Sequence, residues 1–184
     1  MKQAFTLIEL LVVVLIIGIL AAIAVPQYEK AVWKSRNVQL KAVLRSIMAA
    51  EQVYYLANGK YAANFNELDV DLPLAAPGTS GSESEYALAG ECSLAVMGTD
   101  SIRRGNEFEV VLNSTYIQNR INVKAVYTSG KYKCAGFNVD SANNITCIHS
   151  FRNEVSSNGA QFCTKIEQAT FSSFIGSWSH YNLP

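Results

Sequence analysis

The side chain most out of place in this 184-residue chain is Glu9. It follows Phe5-Thr6-Leu7-Ile8 and precedes sixteen uninterrupted apolar residues, Leu10 to Val25. A carboxylate within such a run costs roughly 2.5–3.5 kcal/mol on membrane-insertion scales, so it calls for a compensating partner. Little else in the sequence reads as catalysis. His149 and His180 have no neighbouring acid or nucleophile that would make a triad, and there is no glycine loop to cradle a phosphate. Glu67, Asp69 and Asp71 are dense enough for calcium, although a solvated loop is the simpler account. Asn113-Ser114-Thr115 and Asn144-Ile145-Thr146 match the glycosylation pattern, which is short enough to recur by chance.

The other chemistry-bearing side chains are Cys92, Cys134, Cys147 and Cys163, all downstream of the apolar run. An even count favours disulfides if the domain lies in an oxidising compartment, with three connectivities open. Cys134 and Cys147 flank a candidate hairpin and are expected to face each other across it, leaving Cys92 with Cys163. The main alternative is Cys147 with Cys163, pinning a surface loop. The intervals of forty-one, twelve and fifteen residues hold no closely spaced ligand pair, so zinc is disfavoured and neither metal nor cofactor is expected.

These residues sit on two kinds of framework. Phe5–Val25 is twenty-one residues long, close to the roughly 20 needed to cross a bilayer core. A removable secretory signal carries its small-residue cleavage site after the apolar run; Ala21-Ala22-Ile23-Ala24 allows that reading, but Ala4 lies before it. A plain membrane anchor explains the length and leaves Glu9 unexplained. Basic residues flank both ends, Lys2 before and Lys30 onward after, so charge bias does not fix the topology.

The helix is expected to continue beyond the apolar run. Gln27–Ala57 contains no glycine or proline and is rich in helix formers. Leu40, Val43, Leu44, Ile47, Ala50, Tyr54 and Ala57 recur at three- and four-residue steps, one face of an amphipathic helix. Asn58-Gly59 supplies the stop. A helix over 5–57 would be about 80 Å long at 1.5 Å per residue. Pro26 removes a helical hydrogen bond and is expected to bend it, and Gly18 makes the turns between Gly18 and Pro26 easier to melt.

Residues 58–184 suffice for one domain of ordinary size. A connecting region, 58–91, holds a short helix near Asn64–Leu68 with Tyr61 and Phe65 inward, then the exposed Pro/Gly/Ser-rich loop Pro73–Glu85. Strand candidates are Tyr86–Ala89, Glu107–Leu112, Ile121–Tyr127, Tyr132–Val139 and Asn144–Ser150, the last two joined by the turn Asp140-Ser141-Ala142-Asn143. Asn153–Phe162 reads as loop. The aromatic end, Phe171, Phe174, Ile175, Trp178 and Tyr181, is expected to pack against the sheet within the domain, with packing against another subunit as the alternative. The fold class is therefore α+β: a long N-terminal helix against a small antiparallel sheet over 92–184, whose C-terminal region is tied by disulfides.

Net charge is zero but unevenly placed. Gln27–Ala57 carries five basic residues against two acidic, whereas 58–184 carries nine basic and twelve acidic. No concentrated basic face points to nucleic acid.

The segment Ala4-Phe5-Thr6-Leu7-Ile8-Glu9 with its apolar run, Gly18, and Ala24-Val25-Pro26-Gln27-Tyr28 together resemble the N-terminus of type IV prepilins and type II secretion pseudopilins. The resemblance covers the first thirty or so residues, and Ala4 stands where that family more often has glycine. It implies that residues 1–4 are a leader cut between Ala4 and Phe5 by a prepilin peptidase, which then N-methylates Phe5. It implies a pilin-like fold in which 5–25 spans the inner membrane before assembly and lines a filament core afterwards. Glu9 would align an incoming subunit with its neighbour's terminus, and Gly18 and Pro26 would be helix-weakening positions that allow unwinding on assembly. The implied partners are other pilin subunits, a cytoplasmic assembly ATPase, an inner-membrane platform protein and, for a DNA-uptake filament alone, nucleic acid. The competing reading is an extracytoplasmic binding or enzymatic domain on an uncut anchor.

Overall fold

A computed structural model describes residues 6–74, 92, 99–115, 120–150 and 156–184. The chain divides into two compact units, Met1–Arg36 and Asn37–Pro184. Helix α1, Leu7–Asn58, starts in the first and ends in the second. Its helical assignment continues through Gly18 and Pro26. It stops as Asn58-Gly59 predicts: Gly59 takes φ +70° and donates its N–H to the Tyr55 carbonyl at 2.8 Å. Only a residue without a β-carbon adopts that left-handed conformation freely.

In the second unit α1 buries Asn37, Leu40, Leu44, Ile47, Met48 and Glu51. Of the expected stripe, Leu40, Leu44 and Ile47 are buried and Val43 is half-buried; beyond Ile47 the stripe diverges. Ala50 and Tyr54 are half-buried and Ala57 is exposed. The buried line passes instead through Met48 and Glu51, because the chain after Gly59 folds back on that side and the Ala62 N–H donates to Glu51 Oε2 at 2.9 Å. A 3-10 turn, Phe65–Glu67, follows, with Asn64 accepting the Asn66 N–H and Phe65 buried.

The sheet has strands β1 (Ile102–Arg104), β2 (Phe108–Thr115), β3 (Arg120–Tyr127), β4 (Ala135–Asp140), β5 (Ile145–Ser150), β6 (Thr170–Ile175) and β7 (Trp178–Asn182). All neighbours are antiparallel, in the order β1-β2-β3-β4-β5-β7-β6. The turn between β4 and β5 is the expected one: Asp140 Oδ1 accepts the N–H groups of Ala142 and Asn144, and Asn143 takes φ +63°. β4 starts later than expected, because Tyr132 lies in a turn and Cys134 adopts φ +63°. The expected strand Tyr86–Ala89 and most of the Pro73–Glu85 loop lie outside the described residues.

The described part of the expected loop Asn153–Phe162 is instead helical: α2 (Ser156–Gln161) runs into a π-helical turn, Phe162–Ile166. Its sequence, Ser-Ser-Asn-Gly-Ala-Gln, has little intrinsic helix preference. Packing overrides it. A β-carbon on Gly159 would lie 2.6 Å from His149 Cβ, so a glycine is what lets α2 approach β5. The aromatic end does not act as one block. Trp178 and Tyr181 on β7 are buried, while Phe171, Phe174 and Ile175 on the edge strand β6 are exposed.

Register explains why the expected cysteine pairing fails. Cys147 lies opposite Phe137, and Ala125 opposite Phe137 on the next strand, so these share the face on which α1 packs. Cys134 lies in the turn just before β4, where its left-handed backbone, φ +63°, directs the chain so that its sulfur reaches the other face. There it joins Cys92, Ile102, Val111, Val126, Ile148 and Trp178 in a second buried cluster. The bonds are accordingly Cys92–Cys134 and Cys147–Cys163, not Cys134–Cys147 with Cys92–Cys163. Each bond closes one face of the sheet: the first ties Cys92 beneath it, the second ties the π-helical turn above it.

Candidate functional site

The chemistry singled out at the N-terminus has a defined local geometry. Thr6 is the last non-helical residue before α1. Its backbone N–H and its hydroxyl both donate to Glu9 Oε2, at 2.9 and 2.6 Å, and the Glu9 N–H donates to Thr6 Oγ1 at 3.3 Å. This reciprocal exchange is a capping box, which satisfies donors that the helix itself leaves orphaned. Thr6 is a capping residue that attention to Glu9 alone passes over. The signal was available, since Thr-x-x-Glu ahead of an apolar run is the sequence signature of this cap. Ala4 and Phe5, the expected cleavage and methylation positions, lie outside the described residues.

Behind the cap, the large apolar side chains from Leu7 to Val25 are 44–87% exposed. This is a helix long and apolar enough to cross a membrane. Its apolar surface goes all round, which a surface helix of a soluble domain does not show. Gly18 sits in that surface, and a β-carbon there would meet nothing within 4 Å.

The remaining sequence candidates are part of the fold. His149 is buried, with Nε2 3.0 Å from the Tyr181 hydroxyl and Nδ1 3.2 Å from the Ser150 carbonyl. Burial pushes its pKa down. His180 is pushed down to about 4, by burial first and then by the Lys124 ammonium. Both rings are thus neutral packing groups near pH 7. Among the described residues no group of three His, Cys, Asp or Glu is placed to hold a metal ion, and this includes Glu67, Asp69 and Asp71.

The family pattern described as the prokaryotic N-terminal methylation motif matches residues 1–25. The type IV major pilin protein PilA of Myxococcus xanthus is 39% identical over 67 residues, 36% of this chain and 30% of its own. The type IV major fimbrial protein FimA of Dichelobacter nodosus is 35% identical over 103 residues, 52% of this chain and 62% of its own. The type II secretion system core protein G of Pseudomonas aeruginosa is 38% identical over 68 residues, 37% of this chain and 48% of its own. The chain thus spans less than two thirds of the length of each of these relatives. No solved structure gives a significant match. The exposed apolar helix, its Thr6–Glu9 cap and these likenesses converge: the chain carries a prepilin-type N-terminal methylation segment and is similar to type IV pilins and to a type II secretion core protein.

Proposed function

We propose that the protein is a structural subunit of a type IV pilus or a related secretion filament, cut before Phe5, N-methylated there, and polymerised through α1. The observation that carries this reading is the motif over residues 1–25 on a helix whose apolar side chains are exposed all round. Such a surface must be covered by lipid or by neighbouring helices, and exchanging one for the other keeps it out of water throughout assembly. The reading places the chain in the inner membrane before assembly and in an extracytoplasmic filament after it. It implies a prepilin peptidase, an assembly ATPase and a platform protein as partners, and assembly rather than substrate turnover as the mechanism. Mass spectrometry of the protein from its native host tests it. A chain beginning at methylated Phe5 is expected; an intact Met1 terminus would make α1 an uncut anchor.

Cleavage would create an ammonium on Phe5, next to the Thr6 N–H that Glu9 already holds. Two opposite charges away from water stabilise each other chiefly relative to leaving either alone, so a subunit docked at the wrong height would be penalised. Glu9→Ala should be processed and should assemble poorly. Glu9→Gln separates charge from cap, because glutamine serves equally in a capping box. Poor assembly of both variants is expected. Normal filaments from Glu9→Gln would assign the role to the cap instead.

A further inference from the structure

The stripe residues that the fold leaves outside the core, Ala50, Tyr54 and Ala57, line a groove of about 670 Å³ on the second unit. Ala49 and the 68%-exposed Val53 complete a floor of small apolar side chains, and Glu67, Asp69 and Val70 form the far wall. Along this segment and its continuation past the groove, Glu67, Asp69 and Asp71 are exposed, while Leu68 is buried and Val70 and Leu72 are half-buried. This period of two is that of extended chain, which sets Asp69 and Asp71 on one side about 6.6 Å apart. Glu67 is engaged by the Tyr54 hydroxyl at 2.9 Å and the Ala63 N–H at 3.1 Å. Asp69 and Asp71 have no partner among the described residues.

Lys30 and Lys34, in the first unit, also have none. Of the other three cations of this stretch, Lys41 pairs with Glu167, Arg36 lies over the Trp33 ring at 5.0 Å, and Arg45 stands alone and exposed on the second unit, with no second free cation one turn away among the described residues. Lys30 and Lys34 are one helical turn apart, about 5–6 Å between neighbouring side chains. That matches the separation of Asp69 and Asp71. Ala31 lies beside them and presents a surface small enough for close approach to the alanines of the floor.

We propose that this groove docks the Lys30–Lys34 turn of α1 from a second copy of the chain. The proposal rests on the filament-subunit reading and supplies it with a specific contact between subunits. Ala31 enters against Ala50 and Val53, and the two lysines pair with Asp69 and Asp71 at the rim. Exposed pairs of this kind contribute little affinity singly, so the apolar floor holds the helix while the charges select which turn of it sits there.

Charge exchange in the full-length protein, expressed in its native host, tests the contact. Asp69→Lys with Asp71→Lys is expected to lower the yield of sheared filaments about tenfold by placing like charges together, and Lys30→Asp with Lys34→Asp to do the same. A chain carrying all four changes should recover most of the yield. The described cysteines are all in disulfides, so Ala31→Cys with Val53→Cys adds a new thiol pair. It should oxidise to a ladder of subunit multimers in intact filaments. Normal yield from either double variant, no recovery in the fourfold variant, or cross-linking to a protein of different mass would overturn the contact. If the unaltered chain builds no filaments, the subunit reading fails and takes the contact with it. If it builds them and recovery still fails, the contact alone is wrong.

Discussion

Glu51→Gln is expected to stabilise the second unit by about 3 kcal/mol near pH 8 and to change it little near pH 4.5. Glu51 is fully buried, with one carboxylate oxygen on the Ala62 N–H and the other, Oε1, without a hydrogen-bond partner among the described residues. Burial pushes its pKa up to about 7, the Ala62 hydrogen bond opposes this, and the Glu67 carboxylate adds to it. The unfolded chain loses this proton near 4.5. Below that value both states are protonated, and Glu51 costs nothing beyond its polarity. Between 4.5 and 7 the unfolded state ionises first, so stability falls as pH rises. Above 7 the whole cost of a buried charge is present.

His180 has the opposite sense. Its pKa is depressed to about 4 in the fold, so its contribution is present above the unfolded value of 6.5 and lost as pH falls. The wild-type profile mixes both terms, and the difference between Glu51→Gln and wild type isolates Glu51. Thermal unfolding of the full-length protein in detergent across pH 4.5–8 would measure it. A gap that does not widen with pH would mean that Glu51 is ionised throughout.

Glu51 also marks the limit of what periodicity can reveal. It stands seven residues after Leu44 and four after Ile47, on the core side of α1, yet a carboxylate there reads as solvent-facing until the chain after Gly59 is seen to fold back. The elements with clean patterns were legible: α1 with its Asn58-Gly59 stop, β2, β3 and β5, and the Asp140–Asn143 turn. β6 and β7 were not. A register shift between Phe171 and Ser173 breaks the alternation that marks a strand, and it places Phe171 and Phe174 on the same face, rings 4.8 Å apart. The serines of Phe-Ser-Ser-Phe complete the disguise. The favoured disulfide pairing gave way to the alternative, Cys147 with Cys163, for a related reason, since spacing gives the distance between cysteines along the chain and only register gives the face.

At the candidate site, the exposed apolar run and Glu9 were readable because an acid in such a run breaks a strong rule. Thr6 was readable too, as the other half of a capping box. The groove was not, because it exists only where the real core stripe departs from the apparent one.

Glu167→Ala is expected to destabilise the second unit by roughly 2 kcal/mol, below the range seen when one partner of a fully buried ionic pair is removed, because the Lys41 side chain is 22% exposed. Asn37 and Lys41 lie one helical turn apart and both address the Glu167 carboxylate: Asn37 Nδ2 donates to Oε1 at 2.7 Å, and Lys41 Nζ pairs with Oε2. The Tyr127 hydroxyl donates to Asn37 Oδ1 at 2.7 Å, which ties β3 into the same network. Asn37, Tyr127 and Glu167 are all buried. Truncating Glu167 would strand the Asn37 amide and the Lys41 ammonium, and a buried donor without an acceptor costs its full desolvation. Glu167→Gln should cost less, because an amide oxygen can still accept from Asn37. The ordering wild type, Glu167→Gln, Glu167→Ala in midpoint temperature separates the hydrogen bond from the charge. Added salt should change the wild-type value little, since a pair this buried is poorly screened. If Glu167→Ala unfolds with wild-type stability, the network is not what fixes this stretch of α1 on the sheet, and that role falls to Leu40 and Leu44.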